Sequence, residues 1–314
     1  MRGVARRLSL PDGRRLGYDD YGPADGVPIM LLHGTPSSRC GWYVFGSTAL
    51  AGKLGLRIIA PDRPGLGLSS YQPRRRIIDW PADAVALADH LGIERFAVLG
   101  YSGGGPYAAA CALQISERLT AAGIVGGAGP YEAHGMAGEV HPAILFLLTL
   151  ARDRPHAAER MFAWLGKLAE HAPRSLIAQA MAVLPEPDRQ ALADPEVQQA
   201  VVQAFLEALR PGPRGVQLDT ALMASPWGFA PQDIAMPVYL WHGEEDHFVP
   251  PGVVHRLAGM LPEARARFYP GEGHVSLLAS HGEEILGEFA RHAAEGRFRW
   301  LAGKGKAARQ PNTV

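Results

Sequence analysis

Phe96-Ala97-Val98-Leu99-Gly100-Tyr101-Ser102-Gly103-Gly104-Gly105-Pro106 is the stretch that decides the fold. Its first four residues are apolar throughout, as in a strand buried on both faces. The Ala-rich run Pro106–Gln114 reads as a helix. Between them, Gly100, Ser102 and Gly104 fit the pattern Gly-x-Ser-x-Gly of a nucleophile elbow, in the strand–turn–helix context that pattern requires. The turn puts the serine in a strained backbone conformation and exposes it above the sheet. Glycines two residues to either side leave room where a side chain would strike a neighbouring strand or helix. The helix N-terminus behind Ser102 favours a developing negative charge. The competing reading is a Gly-rich phosphate turn. It would belong to the first strand of a sheet, whereas this strand is a middle one, and the P-loop lysine is absent.

Outward from the elbow, short apolar runs alternate with longer helical patterns. Ala5–Leu10 and Arg14–Tyr21 flank Pro11-Asp12-Gly13, a hairpin signal. Val27–Leu32 ends at His33-Gly34, and Leu56–Ala60 ends at Pro61-Asp62. Leu119–Val125, Val238–Trp241 and Ala266–Tyr269 each end in a Gly- or Pro-containing turn. A helix is expected from Asp79, with Pro81 in its first turn, to Leu91, where Gly92 stops it. Another is expected over Val275–Ala294. Strand and helix in alternation predict an α/β fold on a parallel sheet.

One segment breaks the alternation. Residues 131–225 show no convincing strand but a series of helical patterns: Ala143–Leu150, His156–Ala169, Arg174–Val183, Pro195–Leu209 and Val216–Met223. Leu184-Pro185-Glu186-Pro187 and Arg210-Pro211-Gly212-Pro213 read as breaks between them. The expected organisation is a core of residues 1–130 and 226–296, a helical insertion over 131–225 and a basic, flexible tail over 297–314.

Composition narrows the function classes. A chain of 314 residues can bury about three quarters of its unfolded surface in one large domain. Lys plus Arg equals Asp plus Glu, 31 of each, so no general field draws in nucleic acid or anionic lipid. The longest greasy run, Pro142 to Ala151, is half of the roughly 20 residues a membrane helix needs. The basic start, Met1 to Arg7, is followed by no apolar run, and a cytoplasmic protein is expected. Cys40 and Cys111 have no metal-like spacing and read as small buried thiols. No cofactor and no metal is expected.

A serine needs a base, and the base needs an orienting acceptor. Of twelve histidines, His274 in Gly271-Glu272-Gly273-His274-Val275 follows the last strand and precedes the last helix. That loop lies at the carboxyl edge of the sheet, with the elbow. Asp246, in Glu244-Glu245-Asp246-His247, lies just past the preceding strand. The order Ser…Asp…His suits this architecture. Glu244 and Glu245 compete for the acid's place and read as solvated; His247 competes for the base's place but stands in the wrong order. Glu132, after the Leu119–Val125 strand, is the other place for the acid. Oxyanion donors are expected from the backbone N–H groups of Gly103 and of Thr35 in His33-Gly34-Thr35-Pro36, with His33 structural.

These motifs, together with Asp62-Arg63-Pro64-Gly65-Leu66-Gly67-Leu68-Ser69, resemble the α/β-hydrolase superfamily and span about 240 residues in family order. The resemblance implies a mostly parallel eight-stranded sheet with helices on both faces and the helical insertion as a cap. His-Gly-x-Pro and Asp-Arg-Pro-Gly-x-Gly-x-Ser look like those of epoxide hydrolases and haloalkane dehalogenases. Those enzymes attack with an aspartate, where this chain has Ser102. The expected activity is cleavage of a small-molecule carboxylic ester through an acyl-enzyme. A C–C bond or amide hydrolase is the alternative, and a ligand-binding receptor with vestigial hydrolysis is the alternative of another class. Phe146, Leu147, Met161, Phe162, Trp164 and Leu165 are candidates for an acyl pocket, or for plain cap core.

Overall fold

The computed structural model describes residues 4–44, 48–129 and 140–307. Eight strands form one sheet: β1 (Val4–Ser9), β2 (Arg15–Tyr21), β3 (Val27–Leu32), β4 (Leu56–Pro61), β5 (Phe96–Tyr101), β6 (Leu119–Val125), β7 (Val238–Gly243) and β8 (Ala264–Tyr269). Their order is β1-β2-β4-β3-β5-β6-β7-β8. The first two join antiparallel, and β2 is antiparallel to β4; every other pairing is parallel. This is the mostly parallel eight-stranded sheet expected. The chain steps from β3 outward to β4, then returns to place β5 on the other side of β3. The sheet's direction of growth therefore reverses at β3, and the crevice at the carboxyl ends of β3 and β5 is where such folds bind ligands.

Helices cover both faces. They are α1 (Thr48–Leu54), α2 (Trp80–His90), α3 (Gly105–Gln114), α10 (Pro251–Met260) and α11 (Ser276–Ala307), with the insertion's α4 (Pro142–Asp153), α5 (Pro155–His171), α6 (Pro173–Met181), α7 (Glu186–Ala191), α8 (Pro195–Ala208) and α9 (Pro213–Met223) between α3 and α10. Along β3, Met30 and Leu32 face the core shared with α2, α3 and α10, while Ile29 and Leu31 face the core shared with α1 and α11. The two-residue period of a strand makes this division. Because both faces are buried, the strand reads as one continuous apolar run rather than an alternating one.

The insertion has a core of its own, built on Ala151, Ala158, Phe162, Ala169, Ile177, Val202, Phe205 and Ala208. The amphipathic helices α5 and α6 and part of α8 bury a stripe within this core. Two features differ from the sequence reading. Leu184-Pro185-Glu186-Pro187 is not only a break: it starts α7, because proline in a first helical turn is pre-set for helix and lacks an N–H that would go unpaired there. The helix expected to end at Ala294 continues to Ala307, into the first part of the segment expected as a tail. Glu132 and residues 308–314 lie outside the described residues. Among the described residues, no helix is long and apolar enough to cross a membrane.

Candidate active site

Ser102 stands at the end of β5 with φ of 52°, a left-handed conformation that a non-glycine residue adopts only at a cost of about 1–2 kcal/mol. The neighbouring backbone shows why the turn is glycine-bound. A Cβ on Gly100 would collide with the carbonyl of Gly104, and one on Gly104 would collide with the carbonyl of Leu32. A short helical turn, Ser102–Gly104, leads directly into α3.

Ser102 and His274 line one cavity of about 200 Å³. His274 comes from the loop between β8 and α11. Its Nδ1 donates to Asp246 Oδ2 at 2.6 Å. Asp246 is held in turn by its own loop: Oδ1 accepts from the backbone N–H of Phe248 and of Val249, each at 2.8 Å. Burial would push the imidazole's pKa down, but the Asp246 carboxylate, helped by Asp188, outweighs it and raises it above the ordinary histidine value. Burial likewise opposes the charge on Asp246, and the His274 contact overcomes it, so this carboxyl lies below its usual range. The Tyr101 and Phe248 rings flank the imidazole, each with its centroid 5.1 Å away. Among the described residues no hydrogen bond joins the Ser102 hydroxyl to the imidazole; such contacts are often loose before substrate binds.

The competitors in the Asp246 loop differ from it in burial. Glu244, Glu245 and His247 are exposed, while Asp246 is buried. His242, buried behind Asp246, donates from Nε2 to the carbonyl of Val249 at 2.9 Å and stands 3.7 Å from Asp246 Oδ2. Cys111 is buried, but Cys40 is only partly so, a correction to the reading of both as buried. Burial pushes the Cys40 thiol up to about 11, which leaves little thiolate at neutral pH. Among the described residues no group of three or more His, Cys, Asp and Glu could hold a metal ion.

The loop after β3 forms the opposite wall. A Cβ on Gly34 would stand 3.2 Å from Ser102 Cβ, and one on Gly103 would collide with Thr35 Oγ1, so both expected N–H donors border the serine. The carbonyl of Gly34 accepts from Arg63 Nη2 and from His33 Nδ1, each at 2.8 Å. The carbonyl of His33 accepts from Arg63 Nη1. In a trans peptide the N–H points opposite to the C=O, so fixing the Gly34 carbonyl on Arg63 aims the Thr35 N–H the other way. His33 Nε2 accepts from the backbone N–H of Arg63 at 3.2 Å, which assigns the ring's proton to Nδ1. Burial, with Arg63 alongside, pushes the His33 pKa well below the histidine range. His33 is a structural residue of this loop, as the sequence suggested.

Arg63 was missed as a participant, although its motif was in view. It pairs with Asp219 of α9, at 2.6 Å, and Arg75 shares that carboxylate. Thr35 Oγ1 also donates to Asp219, and Tyr107 donates to it at 3.0 Å. Burial disfavours the charge on Asp219, but the two arginines overwhelm it and hold the carboxyl far below its usual range. A second tether, Glu207 of α8, accepts from Arg39 at 2.8 Å, and Arg39 also pairs with Asp62 and Asp19. A third, Asp188 of α7, accepts from the backbone of the His274 loop.

Of the two readings of the six insertion residues, the cavity lining goes against the acyl pocket. None of the six candidate acyl-pocket residues lines it; Val201 and Ala204 of α8 do, opposite Trp42 and Phe248. Phe146 and Trp164 are 61% and 55% exposed. Phe162 is buried in the insertion's own core, and Leu147, Met161 and Leu165 pack against it.

Comparison with known proteins gives the chain its family. The sequence profile of the α/β hydrolase fold matches residues 27–280. The chain is 31% identical over 282 residues to the magnesium-chelatase 30 kDa subunit of Rhodobacter capsulatus, covering 86% of this chain and 90% of that protein. It is 25% identical over 298 residues to the 2-hydroxymuconate semialdehyde hydrolase of Pseudomonas sp. strain CF600, covering 91% and 94%. Among solved structures, a thermophilic esterase from Thermogutta terrifontis superposes with a TM-score of 0.67 at 22% identity, over 92% of this chain and 99% of that one, a likeness of fold. The sheet, the helical insertion and the matched profile agree: the chain belongs to the α/β-hydrolase fold family.

Proposed function

We propose that the protein is a serine hydrolase that cleaves the carboxylic ester of a small or medium-sized, uncharged substrate through an acyl-enzyme on Ser102. The observation that carries this reading is the 2.6 Å bond from His274 Nδ1 to Asp246, with the imidazole on the wall of the cavity that holds the strained serine. That bond leaves Nε2 as the nitrogen free to take a proton. As Ser102 Oγ bonds to the ester carbon, its proton passes to His274 Nε2. The carbonyl oxygen becomes an oxyanion held by the N–H groups of Thr35 and Gly103. When the intermediate collapses, the C–O bond to the alcohol breaks and the alcohol leaves with the proton from His274. Water, deprotonated by the same imidazole, then attacks the acyl-enzyme and releases the acid. In a related chemistry one oxyanion donor contributes about 3–4 kcal/mol.

The substrate class follows from the walls. Trp42, Val201, Ala204, Phe248 and Val275 are apolar, and no Lys, Arg, Asp or Glu lines the cavity among the described residues. A charged acyl group would lose its hydration there without gaining a partner. The helical insertion serves in this reading as a cap that supplies part of the acyl wall.

A chromogenic short-chain ester tests the proposal. Wild type turns it over, and Ser102→Ala loses about 10⁶ in kcat, the scale found for the serine of a serine protease. Full turnover by the alanine variant would sink it. A C–C bond hydrolase is the second reading, favoured by the similarity to 2-hydroxymuconate semialdehyde hydrolase over nearly the whole chain. Ready fluorophosphonate labelling of Ser102 without ester turnover would favour that reading.

A further inference from the structure

Asp188 belongs to the helical insertion, yet its carboxylate is spent on the backbone of the loop that carries His274. Oδ2 accepts from the N–H of His274 at 3.0 Å, and Oδ1 accepts from the N–H of Val275 at 2.8 Å and of Ser276 at 2.9 Å. The residue is fully buried. Three donors converge on one carboxylate carried by a short helix 86 residues away in sequence. The glycine before His274 is shaped to it, because a Cβ on Gly273 would collide with both carboxylate oxygens.

We infer that Asp188 is a positioning residue for the reaction: from the insertion it holds the backbone of residues 274–276 and so sets where the His274 imidazole stands. The inference rests on His274 being the base.

The chemistry of the site makes this holding necessary. Asp246 fixes the ring at Nδ1. Tyr101 fixes the loop at one further point, its hydroxyl donating to the His274 carbonyl at 3.1 Å. Neither holds the N–H side of the loop. The N–H groups of residues 274–276 lead into the 32-residue helix α11, which begins at Ser276 and whose first donors lack partners within the helix. An ionised carboxylate is the strongest acceptor available for them. With it in place three successive N–H groups of the loop are bonded, and proton transfer across the cavity depends on their placement at the scale of an ångström.

Asp188 also acts through its charge. The titratable groups around His274 are Asp246 on the loop after β7, Asp188 on α7, Tyr101 at the end of β5, and His242 behind Asp246. The two carboxylates favour the protonated imidazole, and Asp188 is the one that does not touch the ring.

The experiment uses the full chain and three variants, Asp188→Asn, Asp188→Glu and Gly273→Ala, with His274→Ala as control. Asn keeps one acceptor oxygen but turns an NH₂ group toward a backbone N–H. We expect Asp188→Asn to lose about 10²-fold in kcat, a loss typical of ångström-scale misplacement. KM should change less than kcat, because Asp188 itself does not line the cavity, although Val275, which it holds, does. The acid limb of kcat/KM should move to lower pH, since removing a negative charge lowers the pKa of the base. Asp188→Glu should keep the limb where it is in wild type. Gly273→Ala displaces the carboxylate without deleting it, so kcat should fall with the limb unmoved; it also serves if Asp188→Asn does not fold. Labelling of Ser102 by a small fluorophosphonate, followed as a rate, reads the same base without an ester. A folded Asp188→Asn with wild-type kcat, labelling rate and acid limb would make Asp188 a stability staple and overturn the inference. Should Asp188→Asn fail to fold, wild-type kcat and labelling rate in folded Gly273→Ala would overturn it instead. A fully active His274→Ala would instead remove the underlying reading.

Discussion

On one side of the cavity, the loop after β3 is braced by buried charged side chains: Arg63 on its carbonyls, Asp219 on Arg63, and Arg75 on Asp219. On the other side, the loop after β8 is braced by its own amides, which end on Asp188, and by an imidazole that ends on Asp246. The first brace is a set of buried ions, in which one carboxylate is shared by two arginines. The second is a set of neutral donors around carboxylates. If the proposed roles hold, the two sides should fail differently: damage to the Thr35 side shows first as lost stability, damage to the His274 side first as lost chemistry.

The largest effect tests the base side. Asp246→Asn removes the acceptor that fixes the ring's tautomer, and in a serine protease the equivalent change costs about 10⁴ in kcat. Glu244 and Glu245 are exposed and cannot take its place, so the loss should approach that figure. Denaturant unfolding should move much less than catalysis. A variant with wild-type kcat would break the comparison on this side.

Asp219→Asn tests the other side. It leaves Arg63 and Arg75 buried without the carboxylate they share, and breaking such a group costs about 3–5 kcal/mol. Domains have only about 5–15 kcal/mol in hand, so the urea midpoint should fall sharply. The pH dependence has a definite sign. Asp219 is depressed in the folded state, so its contribution is present above the unfolded value of about 3.9 and is lost as pH falls toward its native value. An unchanged urea midpoint would show that the ion set contributes nothing.

A smaller effect concerns selectivity. Val201 lies at the mouth of the cavity, 38% exposed, so it can change size with little strain. Val201→Phe should shift the ratio of kcat/KM between short and medium acyl esters by about 10-fold, within the range for a methylene-scale change in an apolar pocket. Phe146→Ser and Trp164→Ser should leave that ratio alone, since neither side chain reaches the cavity. A shift of the ratio in those two variants, with none in Val201→Phe, would move the acyl wall elsewhere.

The subtlest effect is a conflict confined to the base side. The His274 pKa is raised, so the acid limb of kcat/KM should lie above the ordinary value of about 6.5. The same raised value gives stability that is fully present below about 6.5 and is lost as pH rises through it. Activity and this share of stability should therefore trade against each other over one pH window. A limb at or below about 6.5 would show that burial outweighs the carboxylates.

What was legible in the sequence follows the same division. Ser102, Asp246 and His274 stand in loops whose chemistry is local: a Gly-bound turn, an acid after a strand, a histidine before a helix. The positions of Thr35 and Gly103 beside Ser102 were legible because they depend only on the local turns. Arg63 lay in a quoted motif, but its partner Asp219 is 156 residues away, and nothing local links them. Asp188 was hidden by the prolines around it, which read as a break and in fact start α7. The choice between acyl wall and plain cap core was open for a different reason. Periodicity tells which stripe of a helix is buried but not against what: in α5 the stripe meets other insertion helices, and α4 divides between them and the core of the sheet.

The three carboxylates that join the insertion to the sheet also limit how such a protein can diversify. Replacing residues 140–225 wholesale with the matching segment of a distant relative would remove Asp188, Glu207 and Asp219 together. Arg39 would keep Asp62 and Asp19, but Arg63 and Arg75 would be stranded, and the N-terminus of α11 would lose its acceptor. A graft is tolerated only if it brings its own acids to the same three places. Val201 and Ala204 carry no such duty. New substrate ranges are open to single changes on that face of α8, while exchange of the segment as a module is closed.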